Sequence, residues 1–440
     1  MTKHGKNNGN PFALIPLFIF IATFLGVGIW LDDFYAFPSP IAVLIGIIAA
    51  FVLFKSSTEE KVNTLIAGCG ENKIMTMCLI YLLAGAFAVV SKATGGVDAA
   101  VSLGINNIDV AYFPLGIFLI AAFLSTATGT SVGAIVAIGP IAVSLADKSG
   151  ASVSLISGAL LGGSMLGDNL SMISDTTIAA TQSLGCKLKD KFKINLFIAF
   201  PAAIITILVF FYLGLNSEII ALAIPKTDFN WITIIPYILV IVLAVSGVNV
   251  FSTLIIGTLL AGIIGYFGGN FTLMVFVQKI YEGFTSMTEI FLLSMLSGGL
   301  AAMVDKAGGI DYVLYQVKKR IKSKKSAQTG IGALVGLTNL AIANNTVSIV
   351  ITGSIAKEIN DEYNLSAKKT ATILDIFSCV VQGVLPYGAQ VLLILSFADG
   401  KLNFFDLISN AWYHLFLLIF TLIAIYANFW DKWINRMIKI

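Results

Sequence analysis

The sequence predicts an all-α polytopic membrane protein of two inverted-topology repeats, with discontinuous helices and, where these break, re-entrant segments. Composition is the first observation: 57% of the 440 residues are hydrophobic and 12% are charged, against roughly 45–50% and 25% in soluble domains. The second is a set of apolar runs, including 11–30, 195–213 and 409–430, that approach the ~20 residues needed to cross a bilayer. The third is a similarity between the two halves of the chain.

Charge and cysteine content argue against other classes of protein. The net charge is only +3, and the basic residues cluster in short loops, which is typical of a membrane topology signal and not of a nucleic-acid surface. The four cysteines lie among apolar residues without C-x-x-C spacing, as small hydrophobic residues do. We therefore expect no nucleic-acid partner, no redox or transition-metal centre and no cofactor.

An internal duplication defines the two repeats. Residues 85–104 (GAFAVVSKATGGVDAAVSLG) match residues 298–317 (GGLAAMVDKAGGIDYVLYQV) with one gap. Farther along, 139–142 falls on 353–356, an offset of 214 residues. Carried outward, the same offset pairs the remaining apolar runs, so that each half holds about seven hydrophobic segments.

The basic residues of equivalent loops indicate that the halves have opposite orientations. Residues 318–325 contain six basic residues, whereas the matching 104–111 contain none. Conversely, 187–193 contain four lysines and the matching 401–407 contain one. Because lysine and arginine are enriched in short cytoplasmic loops, equivalent loops should lie on opposite sides of the membrane. Inverted repeats of this kind are typical of secondary transporters.

Placing 318–325 in the cytoplasm fixes the predicted topology of the whole chain. Both termini are then cytoplasmic, and Asp32 and Asp33 face outward. The predicted parts are a cytoplasmic N-terminus (1–10), a first transmembrane repeat (11–214), an extracytoplasmic linker (215–230), a second, inverted repeat (231–430) and a cytoplasmic C-terminus (431–440).

Two pairs of helix breaks are predicted at equivalent places in the repeats. Transporters of this architecture bind ions where helices unwind near the bilayer midplane, and glycine, proline and small polar residues mark such points. The first pair is 126–131 (TATGTS) and 343–346 (ANNT), and the second is 162–177 and 382–390. The first pair contributes these candidate ion ligands: Thr130, Ser131, Asn344 and Asn345.

Two aspartates, Asp168 and Asp175, lie in the 162–177 segment. A carboxylate at membrane depth costs at least ~2.5–3.5 kcal/mol and usually faces a polar pathway. On a straight helix the two would share a face, because seven steps of ~100° nearly complete two turns. Asn169, Ser174 and Thr176 add further oxygen ligands of the kind that hard cations prefer. We predict a Na⁺ site at Asp168 and Asp175, where a proton competes with the cation.

Other ionisable residues are weaker candidates. The second half has Gln382 and Ala389 where the first has the two aspartates, so the sequence predicts one charged site and not two. Asp375 and Glu289 lie in apolar stretches and are either accessory proton sites or residues near helix ends. His414, in an aromatic cluster, is typical of the membrane interface.

The polar motifs of the first half resemble a known family. The segments G-D-N (167–169), S-D-T-T (174–177) and T-G-T-S (128–131) resemble the NhaC-type sodium/proton antiporter family, within the ion transporter superfamily, over most of the chain. The resemblance implies a multi-pass exchanger of Na⁺ and H⁺ in the bacterial cytoplasmic (inner) membrane. Met172 stands where the family often has proline, and Val132 where it often has an aromatic residue.

Alternatives to cation exchange differ in what they require. A sodium- or proton-coupled transporter of a small organic acid or amino acid would hold a carboxylate with Asn344, Asn345 and helix N-termini, but no arginine lies in the predicted membrane portion. An intramembrane enzyme would need motifs such as G-x-S-x-G or H-E-x-x-H, so no catalytic residue is assigned. A channel would not need paired breaks. The expected partners are Na⁺, H⁺ and the lipid bilayer, with a homodimer as the oligomeric state to test.

Overall fold

A computed structural model describes residues 9–31, 37–216 and 230–427. Most of the predicted termini, the predicted linker and the two aspartates expected to face outward lie outside these residues. The described part contains 21 α-helices and two short 3₁₀ turns, and no strand. The first ten helices are α1 (Ile15–Leu31), α2 (Ser39–Leu53), α3 (Thr58–Cys69), α4 (Asn72–Ala93), α5 (Gly96–Asn107), α6 (Phe113–Thr128), α7 (Ser131–Ser149), α8 (Val153–Leu170), α9 (Asp175–Leu184) and α10 (Leu188–Asn216).

The remaining eleven helices follow residue 230. They are α11 (Trp231–Val245), α12 (Val250–Phe267), α13 (Leu273–Ser286), α14 (Thr288–Lys306), α15 (Gly309–Arg320), α16 (Lys324–Ile342), α17 (Asn345–Glu362), α18 (Ala367–Val384), α19 (Ala389–Ala398), α20 (Phe404–Ser409) and α21 (Trp412–Tyr426).

Many of these helices are long and apolar enough to cross a bilayer. Seven segments of the described chain meet this description, and several shorter apolar helices accompany them. The seven are Asn72–Ala93, Val110–Thr128, Ser131–Ser149, Leu188–Asn216, Val250–Phe267, Thr288–Lys306 and Ala367–Ala398. The prediction of an all-α, multi-pass membrane protein is confirmed.

The helix pattern of the first half recurs in the second. Helices α8 and α18 are each 18 residues long, and α9 and α19 are each 10 residues long. The four-residue loops 171–174 and 385–388 separate them. The packing is reciprocal as well, because α3 packs against α14 while α13 packs against α4. A two-fold relation between the halves produces such pairing; their opposite orientation in the membrane remains a prediction.

Glycines allow the closest of these approaches. A Cβ atom on Gly85 would lie 2.1 Å from the carbonyl oxygen of Gly283, and one on Gly68 would lie 2.6 Å from that of Gly298. Both distances are shorter than the approach of a Cβ atom to a non-bonded oxygen, so any larger residue would force α13 from α4 or α14 from α3. Small residues serve this purpose in membrane helices, where packing drives association.

Helix α8 lies at the centre of the fold and brings the candidate site into the core. It packs against α6, α7, α10, α18 and α21, and every residue from Leu155 to Asn169 is buried. Its glycine face lies directly on α6, since a Cβ atom on Gly163 would be 2.2 Å from the carbonyl oxygen of Phe118. The last turn of α8, which carries Asp168, is thereby held inside the protein.

Candidate cation-binding site

The helix breaks surround one pocket of about 320 Å³. Its walls come from the start of α4, the α6–α7, α8–α9 and α16–α17 breaks, and the two ends of the α18–α19 break. The candidate residues among those lining it are Thr130, Ser131, Asp168, Ser174, Asp175, Thr176, Asn344 and Asn345. The structure therefore brings together eight of the nine residues proposed from sequence.

Asp168 is the buried carboxylate of this pocket, with 4% of its surface exposed. The Ser131 hydroxyl donates to its Oδ2 over 2.7 Å, and the Ser174 hydroxyl donates to its Oδ1 over 2.5 Å. Ser174 Oγ also lies 2.9 Å from Thr176 Oγ1. Among the described residues no cationic side chain forms an ion pair with Asp168. A buried, unpaired carboxylate is costly unless a proton or a cation neutralises it.

Left-handed residues form the α6–α7 and α16–α17 breaks. Gly129 has φ +73°, and Ala343, at the equivalent position, has φ +55°. Each is followed by a residue that caps the next helix: Thr130 Oγ1 accepts from the Gly133 amide and Asn344 Oδ1 from the Val347 amide. The N-termini of α7 and α17 thus begin at the pocket wall, where their partial positive charge favours an anionic group.

Two glutamines of the second half connect it to Asp168. The Gln390 amide donates to Ser131 Oγ over 2.9 Å, and the Gln382 amide donates to Gln390 Oε1 over 3.1 Å. Gln382 Oε1 is buried at the pocket and has no hydrogen-bond partner among the described residues. An unpartnered amide oxygen can coordinate a cation. The sequence marked Gln382 only as lacking the aspartate of the first half, and Gln390 only as the last residue of a predicted break.

Asp175 lies at the rim of the pocket and not at its base. Its side chain is 74% exposed, and its Oδ2 lies 3.4 Å from the Lys73 ammonium at the start of α4. Of the two aspartates predicted to form the Na⁺ site, only Asp168 is buried in the pocket. The extended loop 171–174 interrupts the helix between them, as the predicted break requires, so the face that they would share on a straight helix does not form.

Asn169 turns away from the pocket. It does not line the cavity; its amide nitrogen donates to Asp375 Oδ2 over 3.1 Å. Adjacent helix residues point about 100° apart, and at the end of α8 this directs Asp168 into the pocket and Asn169 away from it. This is a correction to the sequence-based ligand set, because Asn169 belongs to a second cluster behind the pocket.

A fully buried ion pair forms the centre of that second cluster. The Lys191 ammonium and the Asp375 carboxylate are 1% and 0% exposed and lie 2.5 Å apart. Lys191 also donates to Thr177 Oγ1 over 2.8 Å and to the Asn169 carbonyl over 3.3 Å. The sequence flagged Asp375 but counted Lys191 among loop lysines.

A signal for Lys191 was nevertheless present in the sequence. It shares the buried face of α10 with Ile194, Asn195 and Ile198, at the i, i+3, i+4 and i+7 spacing of an apolar helix face. A lysine on such a face needs a buried carboxylate as a partner, and Asp375 was the unexplained one.

Two further expectations are resolved by the packing of helix ends. Glu289 accepts from the Ser39 amide over 3.1 Å and from its hydroxyl over 2.9 Å, so it interacts with the N-terminus of α2, the helix-end alternative. The interfacial position predicted for His414 is wrong, because it is only 3% exposed and packs against Gly383 of α18. With Tyr413 it lies on the face of α21 that packs against the bundle, while Leu415 and Ile419 form the exposed face.

Comparison with known proteins agrees with these features. The sequence model of the Na⁺/H⁺ antiporter family matches residues 12–215 and 213–430. The malate-2H⁺/Na⁺-lactate antiporter of Bacillus subtilis (strain 168) is 24% identical over 406 residues, covering 85% of this chain and 86% of that protein. The Na⁺/H⁺ antiporter NhaC of the same organism is 24% identical over 353 residues, covering 73% of this chain and 77% of that protein.

Solved structures are more distant. The Alcanivorax borkumensis YdaH transporter gives a TM-score of 0.44 at 13% identity, covering 87% of this chain and 90% of that chain.

The family match extends over both halves of the sequence and includes every residue that lines the pocket. The chain belongs to the Na⁺/H⁺ antiporter family.

Proposed function

We propose that the protein exchanges Na⁺ for H⁺ at Asp168. The observation that carries this proposal is a buried carboxylate that is contacted by the Ser131 hydroxyl and backbone amide and by the Ser174 hydroxyl, with no cationic partner among the described residues. Its negative charge requires neutralisation, and the adjoining pocket gives a cation or a proton access to it. Since one carboxylate accepts only one of them at a time, Na⁺ and H⁺ compete, and this competition couples their movement.

The oxygen atoms around Asp168 suit a dehydrated Na⁺. The hydroxyls of Ser131, Ser174 and Thr176 lie on one side, and the unpartnered Gln382 amide oxygen lies on the second-half wall. Hard cations prefer such oxygen ligands. Thr130, Asn344 and Asn345 complete the walls at the N-termini of α7 and α17, and we assign them to solvating the ion as it enters.

Asp175 has a different part in this scheme. At the rim it attracts cations from solution, and its ion pair with Lys73 competes with them for the carboxylate. Because an exposed ion pair contributes little binding energy, we expect cations to be held there only weakly. Alternating access would follow from the two halves rocking about the breaks, with the inverted orientation and cytoplasmic termini inferred from charged loops. A bacterial inner membrane is the proposed location.

Flux in proteoliposomes tests the proposed function. Purified protein would be reconstituted with a pH-sensitive dye inside, and an outward Na⁺ gradient would be imposed. We expect acidification of the lumen that depends on Na⁺ and that Asp168→Asn slows by about 100-fold or more. Exchange at the wild-type rate in this variant, or a wild-type protein that moves no protons in response to Na⁺, would refute the proposal.

A second candidate function is coupled transport of a small organic anion. The pocket of about 320 Å³ is much larger than the ~30 Å³ that a water molecule occupies in the liquid. Lys73 at its rim supplies a cationic group for an organic anion, in place of the arginine that the predicted membrane portion lacks. One relative is named for malate and lactate. Uptake of labelled malate and lactate into proteoliposomes under an imposed Na⁺ gradient tests it: uptake driven by Na⁺ would favour this function, and no uptake would leave cation exchange.

A further inference from the structure

The buried ion pair described above lies directly behind the candidate site, yet neither member lines the pocket. Lys191 belongs to α10 in the first half and Asp375 to α18 in the second. Together they contact both sides of the α8–α9 break, since Lys191 reaches the Asn169 carbonyl before the break and the Thr177 hydroxyl after it.

The hydrogen bonds of Lys191 are complete. An ammonium group has three donors, and the structure gives it three acceptors, on Asp375, Thr177 and Asn169. One of them is a carbonyl of the last turn of α8, where helix carbonyls lose their intrahelical partners and favour a nearby cation. Asn195 also donates to this same carbonyl. The end of α8 is therefore held through its backbone.

The side chain of Asn169 is held as well, because it donates to Asp375 Oδ2. Fixing both the carbonyl and the side chain of Asn169 fixes the rotation of the last helical turn. Asp168 precedes it by one residue, about 100° around the helix, so the same contacts set the direction in which the Asp168 carboxylate points.

We propose that Lys191 and Asp375 are positioning residues, which aim the Asp168 carboxylate into the pocket and join the site to α18. The pair does not bind the transported ion, and its two charges compensate each other. Because α18 belongs to the second half, the Na⁺ site in the first half is complete only while α18 packs against α8 and α9. This inference rests on the proposed function for its transport readout.

The double variant Lys191→Met/Asp375→Leu tests the proposal. Removing one charge alone would leave the other buried and uncompensated, which destabilises proteins strongly, whereas removing both leaves an apolar contact of similar volume. We expect the double variant to insert and to exchange Na⁺ for H⁺ with an apparent KM for Na⁺ raised about tenfold or more, as when residues that orient metal ligands are lost. The maximum rate should change much less. The matched control is Lys148→Met/Asp98→Asn, an exposed pair that should leave the KM unchanged.

A second readout reports orientation without any transport. In a chain whose four native cysteines are replaced, Asp168→Cys should react readily with a small water-soluble thiol reagent. Adding Lys191→Met/Asp375→Leu should slow this reaction severalfold, while labelling of Asn72→Cys, at the start of α4 in the same pocket, should not change.

An unchanged KM in the folded double variant would overturn the proposal, since the pair would then only stabilise the fold. Complete loss of exchange at every Na⁺ concentration, with labelling unchanged, would also overturn it, because the pair would then take part in coupling itself. If the wild-type protein exchanges no Na⁺, the proposed function fails, and the labelling rates still decide whether the pair positions residue 168.

Discussion

The α8–α9 break and the α18–α19 break have the same backbone form, but the first carries acidic side chains and the second carries neutral ones. Both consist of an 18-residue helix, a four-residue loop and a 10-residue helix. The first carries Asp168 and Asp175, while the second has Gln382 and Ala389 at the equivalent positions. A broken helix therefore provides an entrance and free backbone groups in either half, whereas the acidic side chains decide which half attracts a cation.

Asp168→Asn should cause the largest loss of transport. Loss of the carboxylate should slow Na⁺-dependent proton flux by about 100-fold or more, given the cost of removing one charge from a buried charged site. Gln382→Ala, the equivalent change in the second half, should cost only about tenfold, the size of one hydrogen-bonding group. Proteoliposome flux at saturating and subsaturating Na⁺ measures both. Equal losses would mean that Gln382 is as important to the site as the Asp168 carboxylate, against the assignment of the charge to the first half.

Ser131→Ala should come next. Its hydroxyl bonds a charged group, Asp168, and accepts from Gln390, so its loss should raise the KM for Na⁺ about tenfold. Asn345, at the equivalent position of the second half, lines the pocket without bonding a carboxylate. Asn345→Ala should therefore shift the KM by less than about threefold, within the smaller net worth of a neutral contact. A larger shift with Asn345→Ala than with Ser131→Ala would reverse the assignment of the cation to the first half.

The left-handed residues of the two halves, Gly129 and Ala343, should differ in how substitution changes the free energy of unfolding. Gly129→Ala should destabilise the protein by about 1–2 kcal/mol, because a residue with a Cβ atom is strained at positive φ, and here the new atom would lie 2.9 Å from Ile173. Ala343→Gly, at the equivalent residue, should be neutral or stabilising because it removes that strain. Unfolding by SDS titration in detergent micelles provides the measurement; a stabilised Gly129→Ala variant would contradict it.

Asp175→Asn should have the smallest effect. Because its side chain is 74% exposed and its ion pair with Lys73 is long, we expect less than about a fivefold rise in the KM for Na⁺, as for exposed pairs. The effect should also shrink at high ionic strength, since solvent-exposed charges are screened. Flux assays at low and high choline chloride concentration test this. A loss as large as that of Asp168→Asn would place Asp175 in the binding site itself.

Much of the framework could be predicted from sequence. The sequence predicts the offset between the halves, the small and polar residues at the breaks, and the aspartates of the 162–177 segment. Each of these features depends on local composition or on repetition. The side-chain directions around them were not. The extended loop 171–174 resets the helical phase, so the spacing of Asp168 and Asp175 could not reveal that one is buried and the other exposed.

The cluster behind the pocket could not be predicted for a different reason. Lys191 and Asp375 are 184 residues apart in sequence, and their pairing depends on how α10 and α18 pack in three dimensions. The same holds for His414: its aromatic neighbours suggest a membrane interface, but it lies on the face of α21 that packs against the bundle. Long-range contacts of this kind leave no periodic signal of their own.

Equilibrium binding of ²²Na⁺ to the purified protein shows whether Asp168 holds the transported cation. If the charged break of the first half forms the cation site, the wild-type protein should bind one Na⁺ per chain, acidification should displace it, and Asp168→Asn should bind none. Two bound ions per chain, or one ion retained by Asp168→Asn, would contradict the account, because the neutral half or another residue would then hold the cation.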